Sequence, residues 1–151
     1  MNIKFRKGFI TDMNALSSVN KECLPIYYQP MEFMYFVLSP SFDIFIAYSS
    51  DNTIVGYLLG EFQDKNFHIM SIGVLKKYRE NKIGTKLLDY CIQNIKNNHQ
   101  TISLFVHTEN TSAIKFYKKN KFIIVRTLKN YYEGSIPNTN VQDAYRMERI
   151  I

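Results

Sequence analysis

The 151-residue sequence has no tryptophan and only two cysteines, Cys23 and Cys91. Neither cysteine stands in a C-x-x-C pair or at a Cys/His metal spacing, which argues against a disulfide framework or a metal site and for a reducing compartment. No apolar run reaches the roughly 20 residues that a membrane span requires. At the amino terminus Ile3-Lys4-Phe5-Arg6 alternates apolar with basic residues, so the unbroken apolar stretch of a signal peptide is missing. The expected setting is therefore cytoplasmic, compatible with a nuclear share, without membrane contact. Neither G-x-x-x-x-G-K-[ST] nor G-x-G-x-x-G occurs, which excludes the Walker loop and the dinucleotide fingerprint.

What is present suits one packed domain over residues 1–151. Hydrophobic residues make up 46% and aromatics 15% of the chain, enough to bury a substantial core. The net charge of +6 comes from 19 basic against 13 acidic residues, and the lysines are scattered from Lys4 to Lys129. Nucleic-acid binding calls for a basic stripe interleaved with exposed aromatics, so the scattered charge points instead to a small anionic ligand.

Periodicity sets the order of elements. Ile3 and Phe5 alternate as a first strand, and Thr11 is placed to cap a helix with the stripe Met13, Leu16 and Val19. Leu24 to Tyr28 reads as a loop, and Pro30 opens a short helix through Leu38. Asp43 to Tyr48 and Ile54 to Phe62 flank the turn Ser49-Ser50-Asp51-Asn52, and Phe67 to Val74 follows as a third strand. From Ile83 the residues Leu87, Leu88, Cys91, Ile92 and Ile95 recur at helical spacing, with an expected end at Asn97-Asn98. Ile102 to Val106, Ala113 to Lys119, Ile123 to Leu128 and Tyr145 to Ile150 complete the chain as strand, helix, strand and strand, with a polar loop from Gly134 to Asn140. The order β-α-α-β-β-β-α-β-α-β-β predicts an α/β chain of α+β type, with a mixed sheet covered by helices rather than a doubly wound parallel sheet.

The stretch from Ser71 to Leu88 carries chemistry: a strand, then Lys76-Lys77-Tyr78-Arg79-Glu80-Asn81-Lys82-Ile83-Gly84-Thr85, then the amphipathic helix. A tight loop at a helix start leaves backbone N–H groups pointing outward, where the helix dipole also favours an anion such as pyrophosphate. Gly84 lets the backbone come close, and the neighbouring lysines and Arg79 add positive charge. Spacing alone leaves an ordinary lysine-rich connection as an equal alternative.

Arg79-Glu80-Asn81-Lys82-Ile83-Gly84 resembles the R/Q-x-x-G-x-G/A loop of the GNAT acetyltransferases. Asn110-Thr111-Ser112-Ala113-Ile114-Lys115-Phe116-Tyr117, continuing to Phe122, resembles that family's N-x-x-A-x-x-x-Y-x-x-x-G-F segment. Within the family the chain is similar to the San-type protein N-terminal acetyltransferases, the catalytic subunit of NatE, through Leu24 to Tyr28, Ile69-Met70 and Lys129 to Tyr132. The resemblance implies a GNAT-like, mostly antiparallel sheet of about seven strands with four helices and acetyl-CoA as cosubstrate. It places Ile72, Val74, Arg79, Glu80, Asn81, Lys82, Ile83, Gly84, Thr85, Asn110 and Tyr117 at the cofactor, and Pro25, Ile26, Tyr28, Met70, Tyr131 and Tyr132 at the acceptor. The acceptor it implies is a protein or peptide N-terminus, with an auxiliary subunit as a further partner. Acetylation of a small amine such as a polyamine, or a non-catalytic acyl-CoA-binding role, remain alternatives.

Three positions depart from the family. Lys82 and Lys121 stand where glycines are expected, at sites that call for positive φ; Asn120, tolerant of the left-handed region, offers to shift the second turn by one residue. The enzymes it resembles order a catalytic water between a tyrosine and a histidine, and the matching positions here are His68 and Phe105. His68 is then the expected general base, His107 a second candidate two residues beyond Phe105, and Tyr117 the acid that protonates the leaving thiolate.

Overall fold

The computed structural model describes residues 2–95 and 99–151, except for the side chain of Glu80. In chain order the elements are β1 (Lys4–Lys7), α1 (Met13–Cys23), α2 (Pro30–Leu38), β2 (Phe42–Tyr48), β3 (Ile54–Gln63), β4 (Asn66–Val74), α3 (Ile83–Asn94), β5 (Thr101–His107), α4 (Thr111–Lys119), β6 (Ile123–Leu128) and β7 (Ala144–Ile150). The strands form one sheet in the order β1-β2-β3-β4-β5-β7-β6. Every neighbouring pair is antiparallel except β4 with β5. The mixed, mostly antiparallel sheet with four α-helices is the architecture expected from the order of elements.

Alternation along the strands separates two cores. In β2, Ile44 and Ile46 pack with Leu16, Val19, Phe33 and Phe36 of α1 and α2, while Phe45 and Ala47 pack with Leu87, Leu88 and Cys91 of α3. Successive strand side chains point to opposite faces, so a sheet apolar on both sides must be covered on both.

Some helix ends differ from expectation. Thr11 does not cap α1: it lies in a single 3-10 turn, Ile10–Asp12, that leads into the helix. Asp12 ties this corner instead, accepting Phe9 N–H at 2.7 Å and hydrogen bonds from the two terminal guanidinium nitrogens of Arg6 at 2.8 and 3.1 Å. A hydroxyl at Thr11 would satisfy a backbone donor alone, whereas the Asp12 carboxylate satisfies the backbone and the guanidinium together. Helix α3 closes at Asn94, where Ile95 N–H bonds the Cys91 carbonyl; the expected end at Asn97-Asn98 lies outside the described residues.

Both lysines at expected glycine positions are left-handed, Lys82 at φ 56° and Lys121 at φ 72°. Asn120 does not shift the second turn, since its φ is −95°. Its side chain is committed elsewhere, with Nδ2 donating to Phe116 O at 2.9 Å.

Candidate active site

Between β4 and β5 the sheet opens. The parallel ladder runs only from Asn66↔Thr101 to Ile69↔Leu104, whereas β4 continues to Val74 and β5 to His107. Opposite Gly60 and Leu59 of β3, β4 carries Met70 as an extra residue between Ile69 and Ser71, a bulge that redirects the strand where the pairing with β5 stops. The resulting cavity of about 1080 Å³ is walled by Met70, Ser71 and Ile72 on one side and Phe105, Val106 and His107 on the other.

The acceptor candidates converge on this cavity. Pro25, Ile26, Tyr28, Met70, Tyr131 and Tyr132 all line it. The loop from Leu24 to Gln29 is held by Asn20, which is fully buried: its Oδ1 accepts Tyr28 N–H at 2.7 Å, and its Nδ2 donates to Tyr57 Oη at 2.8 Å. Ser17 Oγ–H donates to the Tyr28 carbonyl at 2.7 Å, and the Tyr28 ring sits edge-on to Phe33 and Phe36. Across the cavity Phe105 is the hub of a ring cluster, 4.7 Å from His68 and 4.8 Å from Tyr131, with Tyr131 5.0 Å from Tyr132. Burial pushes the Tyr132 hydroxyl up to about 12 and raises that of Tyr28. Both stay protonated donors at neutral pH.

The two histidines have different surroundings. His107 is committed at both ring nitrogens: Nε2–H donates to the Val141 carbonyl at 2.6 Å, and Nδ1 accepts Glu109 N–H at 3.3 Å. Those bonds fasten the end of β5 to the loop before β7 and leave no nitrogen for proton transfer. His68 is buried and holds Ser103 Oγ at 2.7 Å through Nδ1. Desolvation, with the nearby Arg146 charge, lowers its pKa to about 4. The ring is neutral at pH 7 and a weaker base than an ordinary histidine.

On the cofactor side, Ile72, Asn110 and Tyr117 reach the cavity, while Val74, Arg79, Asn81, Lys82, Ile83, Gly84 and Thr85 lie outside its walls. Those residues surround the start of α3, where Lys82 is the N-cap and no side chain caps the helix. Lys86 N–H is the first to bond back, to Lys82 O at 3.0 Å. The N–H groups of Ile83, Gly84 and Thr85 thus have no partner among the described residues, the condition an incoming pyrophosphate would satisfy. Arg79 is exposed and folds back on the end of β4, its Nε donating to the Val74 carbonyl at 2.8 Å. Gly84 has a second use: a Cβ there would stand 3.0 Å from the Phe116 ring, so the missing side chain lets α4 close onto α3. Asn110 caps α4, its Oδ1 accepting Ala113 N–H at 3.2 Å. Tyr117 is buried with its hydroxyl raised by desolvation.

Several wall residues carried no motif. Glu61, Glu109 and Glu133 bring carboxylates to the lining, and Arg146 brings a cation. Gln142, beyond the lining, shapes the loop that forms part of it: Oε1 accepts Gly134 and Ile136 N–H, and Nε2 donates to the Ile136 and Thr139 carbonyls. A lone polar residue beside a turn-rich loop was its only sequence signal.

Residues 12–122 match the Acetyltransferase (GNAT) family, and the protein belongs to that family. An N-alpha-acetyltransferase of Saccharolobus solfataricus is 30% identical over 158 aligned positions, covering 95% of this chain and 90% of the relative. Arabidopsis thaliana Naa50, solved in complex with the bisubstrate analogue CoA-Ac-MVNAL, superposes with a TM-score of 0.81 at 27% identity over 99% of each chain. The ribosomal-protein-S18-alanine N-acetyltransferase of Escherichia coli, at 20% identity, shares the fold with a TM-score of 0.86, covering 99% of this chain and 94% of that one.

Proposed function

We propose that the protein transfers the acetyl group of acetyl-CoA to the N-terminal α-amine of a protein or peptide by direct attack in a ternary complex. One observation carries this reading: the sheet opens between β4 and β5 into a cavity with an uncapped helix start nearby on the α3 side and an aromatic acceptor loop on the α1 side. The names of the N-alpha-acetyltransferase relatives support the same acceptor.

In this scheme the first-turn amides of α3, with Lys82 beside them, hold the pyrophosphate, and Asn110 flanks the pantetheine arm. The backbone of Ile72 to Val74, in the part of β4 that has left β5, stabilises the thioester oxyanion. Tyr117 Oη–H, kept protonated by burial, protonates the departing thiolate. An α-amine with a pKa of 7.7–8.0 is roughly 10–15% neutral at pH 7, whereas a lysine amine is neutral only about 0.04% of the time. An N-terminus therefore needs little help in losing its proton, which water in the cavity can accept. His107, with both nitrogens engaged, is a positioning residue here, and His68, at about 4, is too weak a base to dominate.

A second reading, acetylation of a small polyamine, is favoured by Glu61, Glu109 and Glu133 in the lining, because carboxylates attract a polycation. The non-catalytic alternative has less support, since Lys82 adopts the left-handed conformation that the loop calls for. The setting we infer is cytoplasmic, consistent with the unpaired Cys23 and Cys91, and an auxiliary subunit belongs to the same scheme.

Incubation with acetyl-CoA, a peptide library varied at its first two positions, and spermidine, read by mass spectrometry, tests this. Acetylation confined to free peptide α-amines is the expected result. Spermidine as the sole acceptor would install the second reading, and acetyl-CoA binding without turnover would install the non-catalytic one.

A further inference from the structure

His68 ends a chain of hydrogen bonds in which each partner fixes the donor and acceptor roles of the next. Gln63 Nε2 donates to the Glu61 carboxylate at 2.8 Å, which leaves Gln63 Oε1 as an acceptor facing Asn66 Nδ2 at 3.4 Å. With Nδ2 on that side, Asn66 Oδ1 faces Thr101, whose hydroxyl donates to it at 2.9 Å. Asn66 Nδ2 also donates to Ser103 Oγ at 2.8 Å. Ser103 is fully buried, and its other partner among the described residues is His68 Nδ1 at 2.7 Å.

A hydroxyl has one proton, and a buried donor left idle is costly. Having accepted from Asn66, Ser103 satisfies its own proton by donating to His68 Nδ1. The neutral ring then carries its proton on Nε2. No buried side-chain nitrogen or oxygen among the described residues lacks a partner, and no hydrogen bond engages Nε2, so that atom opens on the cavity His68 lines. The chain thus starts at an acceptor-only carboxylate and ends at a donor aimed into the site.

We infer that His68 presents Nε2–H to a main-chain carbonyl of the acceptor peptide, and that Ser103 and Asn66 are positioning residues that set its tautomer. This rests on the acetyl transfer to peptide N-termini proposed above. The thioester oxyanion is not the target: it is assigned above to the backbone of Ile72 to Val74, four residues and the Met70 bulge beyond His68 on β4, roughly 10 Å along the strand. A carbonyl of the peptide's first residues, entering beside Tyr28 and Tyr131, falls on the His68 side. The role differs from general base catalysis, which requires an Nε2 lone pair and the opposite tautomer.

Imidazole proton–nitrogen correlation spectra of histidine-labelled protein decide the tautomer without any substrate. The expected spectrum shows His68 protonated at Nε2 at pH 7, and a mixture of tautomers in Ser103→Ala. Protonation at Nδ1 in the parent, or an unchanged tautomer in a folded Ser103→Ala, overturns the inference. Kinetics supply the second arm. His68→Ala should raise KM for the peptide about 3–10-fold with kcat nearly unchanged, and His68→Gln, whose amide donates from a similar place but is no base, should recover most of that. A fall of about 10²–10⁴-fold in kcat for both variants would mark a general base instead and overturn the donor role. A parent that acetylates no peptide would sink the proposed function and the peptide-carbonyl role together, while the spectrum still decides the tautomer.

Discussion

The Asn20 carboxamide and the Tyr57 hydroxyl are joined by a 2.8 Å hydrogen bond between α1 and β3, where both residues are fully buried. Tyr57 Oη accepts from Asn20 and shares a second hydrogen bond with Ser71 Oγ, 2.6 Å away on the cavity wall. The same carboxamide holds Tyr28 N–H, so one side chain connects the acceptor loop to β4. Asn20→Ala leaves the Tyr28 amide without its acceptor, at about 1–3 kcal/mol, and takes one of two hydrogen bonds from the buried Tyr57 hydroxyl, which keeps Ser71, at about 1 kcal/mol more. Denaturant titration should show a loss of roughly 2–4 kcal/mol, and in whatever remains folded KM for the peptide should rise more than KM for acetyl-CoA. Unchanged stability would mean that the loop is held by other contacts.

Lys82 and Lys121 sit in the left-handed region, where a side chain costs about 1 kcal/mol and glycine costs little beyond its unfolded-state freedom. Lys121→Gly should raise stability by a few tenths to about 1 kcal/mol, at most about 2–4 °C in melting temperature. Lys82→Gly gains similarly but removes a cation from the mouth of α3. Calorimetric titration with acetyl-CoA at two salt concentrations should find nearly the parent's affinity with a weaker salt dependence. An undiminished salt dependence would place the pyrophosphate away from Lys82.

His107→Ala removes the tie from β5 to Val141 and the acceptor for Glu109 N–H. The effect should be a looser loop from Glu133 to Val141, seen as faster amide exchange there and a raised peptide KM, with kcat lowered less than about 10-fold. A drop of about 10²-fold or more in kcat at unchanged KM would restore His107 as a participant in proton transfer.

Stability should also weaken in mild acid. The folded His68 pKa of about 4 lies below its ordinary 6.5, so below pH 6.5 the unfolded chain binds the proton that the folded chain refuses. The stabilisation is complete above pH 6.5 and is lost as the pH falls towards 4, by about 2 kcal/mol at pH 5. Comparing unfolding free energies at pH 7.5 and 5 for the parent and His68→Gln isolates this contribution. Parallel pH slopes for the two proteins would mean that His68 titrates normally.

Much of this molecule could be read from residue patterns because local rules and tertiary structure agree. The alternation in β2 and the helical spacing from Ile83 to Cys91 survive intact, and the two family-like segments fall near the cavity between β4 and β5. Positive φ at Lys82 and Lys121 followed from a backbone requirement that a side chain cannot cancel. What stayed hidden was pairwise and long-range. Asn20 and Tyr57 are 37 residues apart, as are Asn66 and Ser103, and no periodicity records a polar pair that meets only after the sheet has formed. His107 stood out by residue type and position, but which atoms its nitrogens touch depends on a loop more than thirty residues downstream. Glu61, Glu109 and Glu133 look like ordinary surface acids until the fold turns them towards one space.

Four residue pairs, Asn66↔Thr101 to Ile69↔Leu104, are all that stitch β1–β4 to β5, β7 and β6 through the ladder. In mechanical terms the sheet is two plates on a short hinge, wedged apart at one end. Anything seated in the wedge is a strut pressing on both plates, so its binding energy is felt as rigidity across the whole molecule. At a hundred times its dissociation constant such a ligand adds about 2.7 kcal/mol to stability. Acetyl-CoA acting in this way would brace the acceptor wall before any peptide arrives, and Phe105 and Tyr131 on one plate would meet Tyr28 and Met70 on the other at a settled spacing.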